Sequence, residues 1–442
     1  MDESTSAVLA QAPAPPAIAA AGSYRWYVLS VMMLVYAINI ADRYVVSTVL
    51  EPIRLELHLS DSGVAMLTGV ALALFYVTVS LPVAALADRS SRRNIVAFSL
   101  MLWSAMTVFT GLSRNFWQLM AARIGVGVGE SGATPASTAL VSDYFRPLER
   151  PMAMTVWSLG SPLGAWLGAD IAGRVADAHG WRTAFLALGA PGLVMGALVL
   201  LTVKEPRRAA LDAPKAEPDQ AIPLGEAARL LWRNRPAMHL MMAGAITALW
   251  GWGLIFWANA YFIRAFGMTA GQAGAALGPA YLIAGAGATL LTSRICAMKA
   301  MQPPRRMLWM LSGVVALATF PSIGMLIAPT KEIAIGMAWA FIPAIYFYVG
   351  PSIGLLQNAV PTAMRSQATA ITVLMGNITN LAIAPLLVGR LSDLIGGRGG
   401  ANAASLRWSM MVLALTGFWA AWHYWAAAKG FGETAGGRAD AA

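Results

Sequence analysis

Two short stretches place charge where charge is costly. Arg123-Ile-Gly-Val-Gly-Val-Gly-Glu130 and Asn39-Ile-Ala-Asp-Arg43 each lie inside an apolar run long enough to cross a bilayer. An ionised group at membrane depth is unfavourable by several kcal/mol, so such residues mark ion or substrate pathways, or pair with one another. Arg123 and Glu130 share a helix face and lie about 10 Å apart along its axis. Gly125, Gly127 and Gly129 beside them let a second helix or a ligand approach the backbone closely. Asn39, Asp42 and Arg43 stand at i, i+3 and i+4 on one face of their own helix. Asp42 lies about eight residues from the outer end of its run, and Arg123 about seven residues into the other run from the same side. Equal depth lets them pair. Glu130 lies two turns deeper with no cation at a fixed sequence spacing. Burial favours the neutral acid, so Glu130 reads as a carboxyl that exchanges a proton near neutral pH while Arg123 holds Asp42. The plainer alternative is a structural ion pair gluing two helices, which would not need three glycines alongside.

The elements that must position these groups follow from composition. Of 442 residues, 58% are hydrophobic and only 12% charged, with a mean hydropathy of +0.61; soluble domains carry about 25% charged residues, so this is membrane composition. The net charge of +10 resides in short loops between apolar runs, which fits an anionic membrane face and not nucleic acid. The single cysteine, Cys296, excludes a disulfide framework or a cysteine-rich metal site. The first residues, MDESTSAVLAQAPAPP, lack a basic stretch ahead of an apolar core and so do not read as a cleavable signal peptide.

Twelve spans are expected, at roughly 25–50, 62–86, 94–112, 116–140, 151–175 and 182–203, then 237–263, 271–296, 305–328, 332–359, 365–389 and 404–428. The expected organisation is a disordered tail (1–22), a six-helix bundle (23–203), a cytoplasmic linker (204–236), a second six-helix bundle (237–428) and a polar tail (429–442). Leu224 to Trp232, at the end of the linker, suits an amphipathic helix on the membrane surface. With both termini inside, 20 of the 31 Lys and Arg residues are cytoplasmic, 9 lie in outer loops, and Arg43 and Arg123 lie within the membrane; that bias sets the orientation. The two halves also echo one another. Gly173-Arg-Val-Ala-Asp177 recurs as Gly389-Arg-Leu-Ser-Asp393, and Arg150 ahead of Thr155-Val156 recurs as Arg365 ahead of Thr372-Val373. Two parallel repeats with a linker suggest a rocking transporter with its site between them.

The loop after the second span reads Leu86-Ala-Asp-Arg-Ser-Ser-Arg-Arg-Asn-Ile95. It resembles the signature loop of the major facilitator superfamily, with Asp88, Arg89, Arg92 and Arg93 matching and Ala84 and Ser91 in place of two glycines. The resemblance implies that Asp88 helps to latch the halves on the cytoplasmic side. Gly180-Trp-Arg-Thr-Ala-Phe185 is a second such feature, whereas Gly160-Ser-Pro-Leu-Gly164 only partly resembles an antiporter motif and reads as a helix bend. Together, Asn-x-x-Asp-Arg in the first span and Arg-x-Gly-Val-Gly-Val-Gly-Glu in the fourth look like the spinster branch, the lysolipid and sphingosine-1-phosphate transporters. That resemblance covers most of the N-terminal half. It implies proton-linked roles for Asp42 and Glu130 with Arg43 and Arg123 as charge partners, and a cavity suited to a charged head and an acyl tail.

For that cavity the seventh span offers Trp250, Trp252, Phe256, Trp257, Asn259 and Tyr261, the eleventh Asn377 and Asn380, and the first and fourth Asn39 and Gly127. Lipid-facing aromatics and helix-to-helix amide bonds are the competing readings. Gln357 and Asn358 read as gate residues. His58, His179, His239 and His423 are scattered, which gives no metal site or catalytic constellation, and no phosphate-binding Gly-x-x-x-x-Gly-Lys loop is present. The expectation is an all-α membrane protein of the major facilitator fold with no cofactor and no enzymatic activity. It would be a monomeric, proton-coupled secondary transporter of a lysolipid-like amphiphile in a bacterial inner membrane. A transporter of small organic anions or drugs is the alternative.

Overall fold

The computed structural model describes residues 22–70, 91–146, 149–205, 224–361, 364–397 and 400–439, and these are almost wholly helical. Eight helical segments among them are long and apolar enough to cross a membrane. In the N-terminal half the order is α1 (Gly22–Thr48), α2 (Leu50–Glu56), α3 (Asp61–Ala65), α4 (Arg92–Leu112) and α5 (Phe116–Tyr144). There follow α6 (Arg150–Ser158), α7 (Gly160–Trp166), α8 (Ala172–His179) and α9 (Trp181–Thr202). The C-terminal half holds α10 (Leu224–Arg233), α11 (Arg235–Phe266), α12 (Ala270–Pro279), α13 (Gly285–Ala297) and α14 (Pro304–Ile327). It continues with α15 (Lys331–Phe347), α16 (Val349–Ala359), α17 (Arg365–Asn377), α18 (Ala384–Gly396) and α19 (Ala403–Ala439). Most of the second expected span, and Asp88 and Arg89 with it, lies outside the described residues.

Local sequence sets the ends of these helices. Ser91, Asn115 and Asn234 accept the backbone N–H three residues on at the starts of α4, α5 and α11, and Thr269 with Gln272 forms a reciprocal capping box on α12. Gly267, at φ 64°, ends α11 in the left-handed region that an L side chain resists. The expected helix at Leu224 to Trp232 is present as α10, with Ala227 and Leu231 buried and Trp232 exposed. The last helix runs past the expected end at 428 as far as Ala439, since no proline intervenes to stop it.

Among the described residues, four segments widen into π-turns: Met66–Val70 after α3, Leu167–Ile171 between α7 and α8, Ala280–Ala284 between α12 and α13, and Ile378–Ile383 between α17 and α18. All four lie in or next to helices that meet across the boundary between the halves. α3 meets α18, and α12 meets the turn after α7.

The bend expected at Gly160 to Gly164 falls at Leu159, where α6 gives way to α7. Its glycines have a second role. Gly160, Gly164 and Gly168, spaced one helical turn apart, face Met33, Ala37 and Ala41 of α1, where an added Cβ would lie 2.2–2.5 Å from a backbone oxygen. That contact seats α1 backbone to backbone, and it thereby fixes where Asp42 and Arg43 point. The N-terminal core gathers Leu100, Trp103, Val126 and Leu140; the C-terminal core gathers Trp250, Trp257, Phe341 and Tyr424.

Candidate transport site

Asp42 and Arg123 meet as their depths required: Arg123 Nη1 donates to Asp42 Oδ2 at 2.9 Å, and both side chains are almost fully buried. Thr107 of α4 donates its hydroxyl to the other Asp42 oxygen. Glu130, for which spacing offered no cation, is held by Arg43, whose Nη2 and Nε donate to Oε2 at 2.8 and 3.1 Å. Glu130 is fully buried, and its Oε1 has no hydrogen-bond partner. The four groups therefore form two crossed pairs between α1 and α5, with no net charge among them. Adjacent residues on a helix point about 100° apart, which is why Asp42 and Arg43 take different partners on α5.

Two of the fourth-span glycines, Gly125 and Gly129, face a neighbouring helix. A Cβ on Gly125 would lie 2.5 Å from Met106, and one on Gly129 would lie 2.7 Å from the Trp103 backbone nitrogen, so α4 packs directly on α5. Gly127 is buried in the same helix. Asn39 is buried one turn from Arg43, and its Nδ2 has no partner.

A cavity of about 570 Å³ opens between the halves, and Arg43 is the only charged side chain among the described residues that line it. Tyr36, Tyr44, Ser47, Ser158 and Ser161 line it from the N-terminal half, and Trp252, Phe256, Tyr346, Asn377 and Asn380 from the other. Beyond them Ile345, Val349, Ile353 and Val373 give the C-terminal side an apolar wall. The expected Phe256, Asn377 and Asn380 are thus brought to the cavity.

Trp250, Trp257 and Tyr261 are not. They turn into the C-terminal core and donate to Ser322 Oγ (3.2 Å), the Pro385 carbonyl (3.3 Å) and the Leu326 carbonyl (2.8 Å). Asn259 is also off the cavity, buried with neither amide atom bonded. Tyr36, Tyr44 and Tyr346, absent from the sequence-based cavity, stand around it. Tyr36 stacks on Trp157 with ring centroids 4.0 Å apart, and the Tyr44 and Tyr346 hydroxyls approach to 3.5 Å. The signal for the first two was present: Tyr36, Ile40, Arg43, Tyr44 and Ser47 repeat at helical spacing on the face of α1 that carries the charge.

Of the signature loop, Arg92 and Arg93 are described. Glu205, just past α9, accepts from both their backbone N–H groups at 3.0 and 2.8 Å, and the Arg92 side chain pairs with Asp143. Gln357 of α16 donates to the Thr369 hydroxyl of α17 at 3.2 Å.

The end of the molecule opposite the termini, here called the distal end, is closed. Arg264 of α11 reaches across to the N-terminal half, where its guanidinium donates to Glu51 at 2.7 Å and to both Asp61 oxygens at 2.7 and 2.8 Å. Ser47 donates to the Phe256 carbonyl at 2.6 Å, sealing α1 to α11 below the cavity. The cavity lies toward the termini, along α6, α13, α16 and α17.

A helical membrane protein whose halves part around a buried, singly charged cavity is built as a transporter. Residues 32–382 match the Major Facilitator Superfamily, and the chain belongs to that family. Its fold is that of transporters and not of enzymes. The chain is 30% identical over 394 residues, 88% of its length and 90% of the relative's, to an MFS-type efflux pump of Mycolicibacterium smegmatis. It is 29% identical over 231 residues to the sphingosine-1-phosphate transporter SPNS2 of Danio rerio, a match spanning 52% of this chain and 46% of that one. Among solved structures it resembles a bacterial homolog of the human lysosomal transporter spinster in an inward-facing, unoccupied conformation. That likeness has a TM-score of 0.74 at 26% identity, covering 93% of this chain and 98% of the other.

Proposed function

We propose that the chain is a twelve-span, proton-coupled secondary transporter of an amphiphile with an anionic head and an acyl tail, of the lysolipid or sphingoid phosphate class. It works as a monomer by alternating access between two six-helix bundles, 23–203 and 237–428, joined by the linker 204–236. The membrane is a bacterial inner membrane, with both termini cytoplasmic. The observation that carries this reading is Arg43, which faces the cavity while holding one oxygen of the fully buried Glu130. An anionic head drawn to Arg43 leaves Glu130 without its cation, and a buried carboxylate without a cation takes up a proton. Substrate and proton are thereby linked through one guanidinium. Asp42 and Arg123 hold α1 against α5 while Glu130 titrates. Asn377 and Asn380 bind the polar head from the opposite wall, and Trp252, Phe256 and the apolar side take the tail. Asp88, Arg89, Arg92 and Arg93 latch the cytoplasmic side, a role taken from the family resemblance.

The test is uptake or efflux of a labelled lysolipid in proteoliposomes under an imposed pH gradient. Wild-type rates should follow the gradient, and Glu130→Gln should remove that dependence while the protein still elutes as a single folded species. A Glu130→Gln variant that keeps the wild-type pH response would remove Glu130 from coupling. The second reading, a transporter of small organic anions or drugs, is favoured by the relative described as an efflux pump. Transport of small anions with no lysolipid movement would establish it.

A further inference from the structure

The five-residue pattern that the sequence carries twice makes the same kind of contact twice. In the first copy, Gly173 lies against the start of α12, where an added Cβ would sit 2.8 Å from the Ala270 carbonyl oxygen. One turn later, Asp177 accepts the Thr269 hydroxyl. Its carboxylate also covers Gly271, where a Cβ would lie 2.4 Å from Asp177 Oδ2. In the second copy, Gly389 lies against the start of α3, where a Cβ would sit 2.7 Å from the Asp61 carbonyl oxygen. Asp393 then accepts the backbone N–H groups of Asp61 and Ser62 at 3.0 and 2.9 Å and the Ser62 hydroxyl at 2.5 Å. The glycine permits the approach, and the aspartate one turn on binds what the approach exposes.

Each contact crosses the boundary between the halves, in opposite directions. Asp177 is N-terminal and grips the C-terminal α12; Asp393 is C-terminal and grips the N-terminal α3. Deeper in, both seams are as tight: a Cβ on Gly274 would lie 2.1 Å from the Ala169 oxygen, and one on Gly69 would lie 2.2 Å from the Leu381 oxygen. A carboxylate capping a helix of its own half could persist through every conformation. These two cannot, because the distal end opens only when both seams part.

We propose that Asp177 and Asp393 are paired, repeat-related latches of the distal gate, positioning residues that hold that end shut and release together when it opens. The inference rests on the alternating-access reading above. The latches are unequal. Asp393 receives three bonds and Asp177 one, so Asp393 carries more of the closing free energy. The groups that bond to them are all donors, which a carboxylate satisfies fully and an amide does not.

The experiment uses the full chain in lipid nanodiscs with Cys296 replaced by Ser. Spin labels are attached at Arg114→Cys and Pro329→Cys, exposed distal positions in opposite halves. Pulsed electron–electron resonance reads the distance across the gate. Asp393→Asn should raise the ratio of long to short distances by about tenfold, the scale of losing charge-assisted hydrogen bonds. Asp177→Asn should raise it less, and the double variant more than either. Ser62→Ala removes one donor, keeps both backbone N–H bonds, and should give a smaller shift in the same direction; it supplies the reading should Asp393→Asn fold poorly. Two wild-type populations with no shift in Asp393→Asn, Ser62→Ala or the double variant would overturn the latches. A single wild-type distance that ignores pH gradient and added lysolipid would instead sink the alternating-access reading, and the latches with it.

Discussion

The molecule holds two sets of buried ions of similar burial and opposite construction. Asp42, Arg43, Arg123 and Glu130 all belong to α1 and α5 of the N-terminal half. The distal cluster joins Arg264 of the C-terminal half to Glu51 and Asp61 of the other. Arg123 and Arg264 have side-chain exposures of only 2% and 6%, so burial does not separate the two sets. What separates them is whether the partners move together. Under the proposed alternating access, a set contained in one half keeps its pairs as the halves rock, and only a proton or a ligand can change it. A set that spans the boundary would then break and rehydrate at each opening, so its strength would tune the balance between conformations and not the stability of either half.

The largest effect expected from that contrast is at Arg123. Arg123→Ala leaves Asp42 buried without its cation and should lower folding stability by roughly 3–5 kcal/mol, seen as a large fall in thermal unfolding temperature in detergent. Adding Asp42→Asn should recover much of the loss. A single variant as stable as wild type would show that the quartet is hydrated and the contrast false. Arg264→Gln should act more weakly on unfolding, about 1–3 kcal/mol, because Glu51 and Asp61 regain water once the distal end opens. Its main effect should be on labelling of distal-seam cysteines by a membrane-impermeant thiol reagent, which should rise. Unchanged labelling would move Arg264 from gate to scaffold.

The smallest effect belongs to the exposed distal rim. There, partial burial pushes the Glu56 carboxyl up, but hydrogen bonds from Trp181 and Arg182 outweigh it and hold the group below the usual carboxylate range. A depressed acid contributes stability above its unfolded-state value and loses that contribution as pH falls through its folded-state value. Wild type should therefore lose a little thermal stability on acidification through and below the ordinary glutamate range, and Glu56→Gln should lack that slope. Identical slopes would show the contact to be too solvated to matter.

The Asp42–Arg123 pair was legible because depth in a bilayer can be counted along a helix. The Arg43–Glu130 pair was not, because counting gives depth but not the rotation of one helix against another. Only the family resemblance made Arg43 a charge partner. The glycine-rich fourth span was read as open to a helix or a ligand, and packing chose the helix α4. In α11 the error has a plain cause. Its buried residues lie all round the helix, so apolar periodicity does not single out the cavity face, and Trp250, Trp257 and Tyr261 could not be told from Trp252 and Phe256. Glu51 and Asp61 fall between the first two expected spans, and no spacing in the sequence links them to Arg264, which meets them from the other half. The repeated Gly-Arg-x-x-Asp pattern was visible as an echo between the halves. Its meaning needed the partner residues, which lie more than 90 positions away from Asp177 and more than 330 from Asp393.

The four π-turns in the segments that join the halves change how such a seam can part. A π-turn leaves one peptide out of the regular i to i−4 ladder, so a helix can bend there without losing the ladder on either side. Beyond such a joint a helix is a lever. An arm of about ten residues, the length of α12, is about 15 Å long, and a tilt of about 15° moves its tip by about 4 Å. A displacement of that size breaks hydrogen bonds at the tip while side chains near the joint stay in contact. The distal end can therefore peel open from its rim inward, the two rim latches first and the deeper contacts after them, instead of lifting as a block.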